Sequence, residues 1–240
     1  MEAIVLAGGL GTRLRSRLNG VPKPMAPVAG RPFLEILLDR LADAGFCRTL
    51  LSVGYLGSVI SDHFGNHWRG MSLDYVTEDS PLGTGGAIRR ALAHIKESSA
   101  FVLNGDTWLD ADYRAMEDLH ESSRASLTLA LSRVPDVARY GGVELDGNRI
   151  TGFIEKGRTG PGWINAGVYI LSRDFPWPVN LAEKFSFETD VLFPLLPTLR
   201  HATFLSQSYF LDIGIPEDLD RAQEELGGRN RRPPTEAENH

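Results

Sequence analysis

Short apolar runs recur through the first half of the chain, and each gives way to a stretch with helical spacing. Residues 3–7 form the first such run and read as a buried strand. Residues 32–44 then place Phe33, Leu34, Leu37, Leu38 and Leu41 on one face of an amphipathic helix, and Gly45 sits where a helix commonly ends. The alternation continues with a strand over 49–53, a helix over 55–63, a strand over 73–76, a helix over 86–95 and a strand over 101–104. Such alternation predicts an α/β fold with a doubly wound, mostly parallel central sheet of Rossmann-like character, whose ligands sit at the carboxyl ends of the strands.

The second half reads differently. Strand patterns at 126–133, 142–145, 149–155, 165–171 and 202–205 follow with few helices between them, and Asp146-Gly147-Asn148 marks a tight turn. No low-complexity linker and no internal repeat interrupts residues 1–226, so one continuous domain is expected there. Residues 227–240 carry no large apolar side chain and are expected to be a disordered tail.

Composition narrows the partners. The chain has 240 residues, 42% hydrophobic and 23% charged, enough to bury a full core. A net charge of −6 argues against a nucleic-acid-binding face. Cys47 is the sole cysteine, which excludes an intrachain disulfide and suits a reducing compartment. No apolar run approaches membrane-spanning length, and the first strand begins too early for a signal peptide. A cytoplasmic protein with no membrane partner is expected. Trp108 and Trp177 are candidate surface aromatics for a homo-oligomer.

The chemistry begins where the first strand ends. Leu6-Ala7-Gly8-Gly9-Leu10-Gly11-Thr12-Arg13-Leu14 is a glycine-rich turn carrying an arginine, and Pro22-Lys23-Pro24-Met25 follows it. Glycines let backbone N–H groups approach a ligand, and successive N–H groups make an anion-binding concavity. A fixed Arg and a fixed Lys add full positive charges for phosphate oxygens. A P-loop is excluded, because no Lys-Ser or Lys-Thr follows the glycines. The dinucleotide fingerprint fails too, since its third glycine position is Leu14. The turn reads as a site for a nucleoside triphosphate.

The run G-G-x-G-T-R-L followed by P-K-P-M resembles the signature of the sugar-1-phosphate nucleotidyltransferases, and the resemblance extends to about residue 226. It implies a reaction in which a sugar 1-phosphate attacks the α-phosphate of a nucleoside triphosphate and releases pyrophosphate. It also implies a nucleotide-binding half over 1–125 and a sugar-phosphate-binding half over 126–226. Asp106, after the apolar strand Phe101-Val102-Leu103-Asn104, and Asp212, in Asp-x-Gly before Pro216-Glu217-Asp218, match the family's two magnesium-binding aspartates. Two converging carboxylates would repel without a cation, so Mg2+ is the expected cofactor. Residues 216–218 themselves suit a helix N-terminus.

The resemblance assigns further roles. Arg13 would contact the β- and γ-phosphates, and Lys23 the α-phosphate and the attacking phosphate. The nucleotide would lie on Leu6, Ala7, Gly8, Gly9, Gly11 and Thr12, with its base near Glu78, Gly83, Thr84 and Gly85. Relatives that read a pyrimidine commonly carry Gln at the position of Glu78. A carboxylate there accepts two hydrogen bonds, which suits the N1–H and exocyclic amine of guanine. Gly142, Glu155, Lys156, Asn165 and Lys184 are the candidates for the sugar phosphate.

Segments 79–88, 104–107, 183–188 and 212–218 together resemble the branch that joins GTP to D-glycero-D-manno-heptose 1-phosphate for bacterial surface glycans. Mannose 1-phosphate as acceptor and an N-acetylmuramate 1-phosphate uridylyltransferase are the alternatives. A copy that binds nucleotide-sugar without turnover is the reading from another class. A metal-dependent glycosyltransferase would want Asp-x-Asp, and Asp110-Ala111-Asp112 reads instead as a loop and helix cap.

Overall fold

The computed structural model describes residues 1–9, 11, 14, 17, 18 and 20–229. In the first half, β1 (Glu2–Leu6) is followed by a 3-10 turn at Lys23–Met25, β2 (Pro27–Val28), β3 (Arg31–Pro32), α1 (Phe33–Asp43), β4 (Arg48–Val53), α2 (Gly57–Phe64), β5 (His67–Trp68), β6 (Met71–Thr77), α3 (Gly83–Leu92), β7 (Ser99–Asn104), β8 (Thr107–Leu109) and α4 (Tyr113–Ser123). The second half adds β9 (Leu127–Val134), β10 (Gly142–Asp146), β11 (Arg149–Ile154), β12 (Gly162–Ser172), a π-helical turn at Glu188–Leu192, α5 (Phe193–Leu195), β13 (His201–Ser206), β14 (Phe210–Asp212) and α6 (Pro216–Arg229).

Eight strands run in the order β11-β10-β12-β7-β1-β4-β6-β5, and β9 with β13 extends the sheet from β12 to ten strands. β7, β1, β4 and β6 are mutually parallel, as the strand–helix alternation predicts. The sheet as a whole is mixed rather than mostly parallel. β12 runs antiparallel to β7, β9 and β10, because strands of the second half return through short turns that leave no room for crossover helices. One such turn is the predicted one, since Asp146 faces Arg149 across Gly147-Asn148.

Both faces of the parallel region are covered, which is why its strands are apolar at nearly every position. Val5 and Phe101 face the α1 side with Leu34, Leu37 and Leu41. Ile4 and Val102 face the α3 side with Ile88, Ala91 and Leu92. A third cluster packs α6 on α1 and on the separate two-stranded ladder of β8 and β14, through Leu219, Ala222, Phe33, Trp108 and Leu211. Trp108 is therefore core, at 5% exposure, and not a surface aromatic. Trp177 is half-buried against Phe175, Phe185 and Phe187. α6 runs to Arg229, three residues into the stretch expected as tail, and residues 230–240 lie outside the described residues. Among the described residues no helix is long and apolar enough to cross a membrane.

Candidate active site

The carboxyl ends of the parallel strands meet in one row. The amide of Ala7 donates to the carbonyl of Ser52, that of Gly105 to Leu6 and that of Glu78 to Val53, at 2.8, 3.0 and 2.8 Å. The turns after β1, β4, β6 and β7 are thus held side by side. Gly8 lies against Gly54 and the Glu78 carboxylate: a Cβ on it would come within 3.1 Å of Glu78 Oε1. Gly9 is exposed and has open space where a Cβ would stand. Gly11 takes φ +56° and abuts the Lys23 side chain. Leu10, Thr12 and Arg13 lie outside the described residues.

Two three-residue strands deliver the carboxylates. β8 and β14 pair antiparallel with Thr107 opposite Asp212, and the amide of Ile213 donates to the Asp106 carbonyl at 3.0 Å. Asp106 and Asp212 therefore emerge together, although 106 positions separate them (212 minus 106). Lys23 comes off the 3-10 turn and enters between them with 14% of its side chain exposed. Its ammonium donates to Asp106 Oδ2 and stands 4.0 Å from Asp212 Oδ1. Burial first, then the Asp106 charge, push the Asp212 carboxyl above the usual carboxylate range, while Lys23 and Arg139 pull it back.

The cation count matters for a metal. Asp212 Oδ1 is buried and has no hydrogen-bond partner among the described residues. Lys23, 4.0 Å away, offsets the charge of that oxygen without bonding it, and a bound cation would complete it. Among the described residues no cluster of three or more His, Cys, Asp and Glu could hold an ion unaided. Two carboxylates with substrate phosphates completing the shell is the usual manner of Mg2+, so this pair fits that ion.

Beyond Asp212 opens a cavity of about 670 Å3, lined by Asn104, Arg139, Tyr140, Gly142, Glu155, Lys156, Asn165, Glu188 and Asp212 among others. Four of the five expected sugar-phosphate residues are thus brought together. Gly142 lies where any side chain would press on Ile154. Asn165 Nδ2 donates to the Tyr169 hydroxyl at 2.7 Å, and Tyr169 is within 3.4 Å of Glu188 Oε1. Glu188 Oε2 accepts from Thr84 at 3.0 Å and Ser186 at 3.1 Å. Lys184 is not brought to this cavity and is exposed.

The 183–187 segment packs on the start of α3 instead. A Cβ on Gly83 or Gly85 would collide with Phe185, and one on Gly86 would stand 2.7 Å from the Glu183 carbonyl. Gly83 and Gly85 therefore admit the chain's own Phe185, and Gly86 the Glu183 carbonyl. Thr84 likewise holds the amide of Phe187 at 2.9 Å. Glu78 remains at the row of turns, accepting from Ser52 Oγ at 3.2 Å and the Leu82 amide at 2.9 Å.

Three lining residues escaped sequence reasoning. Arg139, Asn104 and Glu188 carry no spacing signal of their own, though Asn104 and Glu188 belong to segments already noticed. Asp112 accepts from the Ala115 amide at 3.0 Å and caps α4, so Asp110-Ala111-Asp112 is the expected loop and cap.

Known proteins resemble the chain throughout. The pattern of the family described as Nucleotidyl transferase matches residues 2–228. A D-glycero-alpha-D-manno-heptose 1-phosphate guanylyltransferase of Aneurinibacillus thermoaerophilus is 44% identical over 94% of this chain and 98% of its own length. One from Campylobacter jejuni is 42% identical over 91% and 96%. A mannose-1-phosphate guanylyltransferase of Mycobacterium tuberculosis is 38% identical, with 64% of its length covered. The crystal structure of HddC from Yersinia pseudotuberculosis superimposes with a TM-score of 0.81 at 40% identity, covering 94% of this chain and 99% of that one. The same protein has also been solved in complex with GMP-PN. With that match over nearly its whole length, the chain belongs to the nucleotidyl transferase family.

Proposed function

We propose that this chain is a D-glycero-D-manno-heptose 1-phosphate guanylyltransferase, transferring GMP from GTP to the sugar phosphate and releasing pyrophosphate. The observation that carries the chemistry is the convergence of Lys23, Asp106 and Asp212 at the edge of the cavity that holds Glu155, Lys156 and Asn165. Donor and acceptor are drawn from the two guanylyltransferase relatives matched over nearly their full length.

In this reading the sugar phosphate lies in the cavity, with Lys156 on its phosphate and Glu155 and Asn165 on hydroxyls. The triphosphate lies over Leu6 to Gly11, with guanine beside Glu78. A phosphate oxygen of the sugar attacks the α-phosphorus, and the bond from that phosphorus to the bridging oxygen breaks, so pyrophosphate leaves in line. No general base is required, because the attacking phosphate is already anionic near neutral pH. What the protein must do is hold two anions in line and offset their repulsion. Lys23 lies where it can do so between donor and acceptor. Asp106 and Asp212 would hold Mg2+, which supplies further neutralisation of phosphate charge when bound. Arg13 is assigned to the departing pyrophosphate on its motif alone. GTP and the free thiol of Cys47 suit the cytoplasm.

Pyrophosphate release with Mg2+ tests the reading, crossing GTP, UTP, CTP, ATP and dTTP against heptose, mannose and N-acetylmuramate 1-phosphates. Turnover concentrated on GTP with the heptose phosphate is expected. Preference for mannose 1-phosphate or for UTP would replace the proposed substrates, and no release with any pair would overturn the reaction.

A further inference from the structure

We propose that Arg139 is a positioning residue, which fixes the Asp212 carboxylate so that one of its oxygens stays open for the cation. The inference rests on the reading of Asp212 given above. The guanidinium of Arg139 is held on three sides. Its Nη1 pairs with Asp218, its Nη2 reaches both the Asp212 carbonyl at 3.3 Å and Asp212 Oδ2 at 3.4 Å, and its Cζ lies 4.9 Å from the centroid of the Tyr140 ring. Asp212 is thus gripped at its main chain and at one carboxylate oxygen. The other oxygen, Oδ1, is buried, accepts no side-chain hydrogen bond, and is faced by Lys23 at 4.0 Å and by the backbone of Gly214.

The anchor is unusual for its place. Asp218 lies in the first turn of α6, where an acidic residue ordinarily faces water and the helix dipole. Here its side chain is only 7% exposed and spans Arg139 and Arg221. Burial of a carboxylate is tolerated when it is paired, and a planar guanidinium can serve two acceptors at once in fixed geometry. A lysine carries its donors on a single nitrogen and lacks the planar fork by which Arg139 reaches Asp218 with Nη1 and Asp212 with Nη2. Arg139 also lines the acceptor cavity, so the same side chain joins the sugar pocket to the carboxylate pair.

Mn2+ alone, titrated into the full-length protein and followed by loss of the free-ion electron paramagnetic resonance signal, tests this. Arg139→Ala should weaken Mn2+ binding about 10-fold, as loss of a residue supporting a metal ligand commonly does. Arg139→Lys should fall between Arg139→Ala and wild type. Arg221→Ala removes the other partner of Asp218 without touching Asp212, and should bind Mn2+ as wild type does. Half-saturating Mg2+ in pyrophosphate release should move in parallel, with KM for GTP at saturating Mg2+ little changed. Wild-type affinity in Arg139→Ala, or equal weakening in Arg221→Ala, would overturn the proposal. Asp212→Asn separates the layers. If it binds Mn2+ normally, the reading of Asp212 fails; if it loses binding and Arg139→Ala does not, only the role of Arg139 fails. Should Arg139→Ala not fold, Arg139→Lys carries the test, and wild-type affinity in it overturns the claim.

Discussion

Asp106 and Asp212 are joined through their backbones, the Ile213 amide donating to the Asp106 carbonyl beside the Thr107–Asp212 pair. Their separation is thus fixed by a two-strand ladder and not by the flexible reach of two loops. Their mutual repulsion is built into the fold, and Lys23 and Arg139 offset it.

Lys23→Ala should therefore abolish most turnover while leaving the fold intact. If Lys23 serves the reacting phosphates as proposed, removing its charge costs on the order of 10²–10³ in kcat. The ammonium contributes no core contact, so circular dichroism should show native secondary structure. Near wild-type kcat in Lys23→Ala would remove it from the site.

Asp212 carries a stability cost that can be read from its protonation. Its folded carboxyl titrates above the ordinary range, so the unfolded chain ionises first as pH rises. The stability it contributes is complete below the unfolded value and is lost as pH rises through the folded one. Asp212→Asn should accordingly melt higher than wild type at pH 7 in the absence of metal, and the gain should vanish as pH falls below the unfolded carboxyl's value of about 3.9. Activity should be lost in the same variant. A lower melting temperature than wild type at pH 7 would contradict the assigned balance of burial and repulsion over the pull of Lys23 and Arg139.

The long apolar strands and α1 were legible in the sequence because period and length both signal them. β8 and β14 were not, since three residues show no period, and yet their pairing is what brings the aspartates together. Arg139 was silent for a related reason: its partner Asp212 lies 73 positions away, and a lone arginine before a Tyr-Gly reads as surface. Asp218 was read as a helix-dipole residue, which its position supports and its burial overrides. The glycines at 83 and 85 were visible, but not which neighbour they admit. Sequence shows where a side chain is absent; only packing shows that Phe185 fills the space.

That distinction separates two glycines of similar appearance. Gly85→Ala should destabilise by about 1–3 kcal/mol, because the added carbon overlaps a ring fixed in the core. Gly9→Ala meets nothing within 4 Å and should leave the melting temperature unchanged, while raising KM for GTP if the triphosphate lies on that turn. Thermal melts and KM for the pair check this. A melting loss in Gly9→Ala equal to that in Gly85→Ala would contradict it.

His120 offers a control remote from the site. It is buried, its Nδ1 is 2.8 Å from Thr128 Oγ1, and burial holds its imidazole below the usual value. The unfolded chain then binds a proton first as pH falls below about 6.5, so stability present above that pH is lost below it. Wild type should lose melting temperature between pH 7 and 5 more steeply than His120→Gln. Parallel curves would exclude His120 as the cause.

The donor base gives the sharpest test of a single side chain. Glu78 already accepts from Leu82 N–H and from Ser52, and each carboxylate oxygen retains capacity for one further donor. Two donors on one edge, as guanine presents, complete that set. In Glu78→Gln an amide oxygen that keeps the Leu82 N–H puts the NH2 in place of the oxygen that accepts from Ser52, so a guanine lying beside Glu78 as proposed would lose one of its two acceptors. The NH2 meets the guanine donors unfavourably and suits a pyrimidine carbonyl. A hydrogen bond to a charged group is worth about 1.5–3 kcal/mol, so kcat/KM for GTP should fall about 10- to 100-fold. The UTP rate should rise relative to it, and the melting temperature should hold because Leu82 keeps its acceptor. Unchanged selectivity between GTP and UTP would take Glu78 out of the base pocket and return it to a purely structural role in the turn after β6.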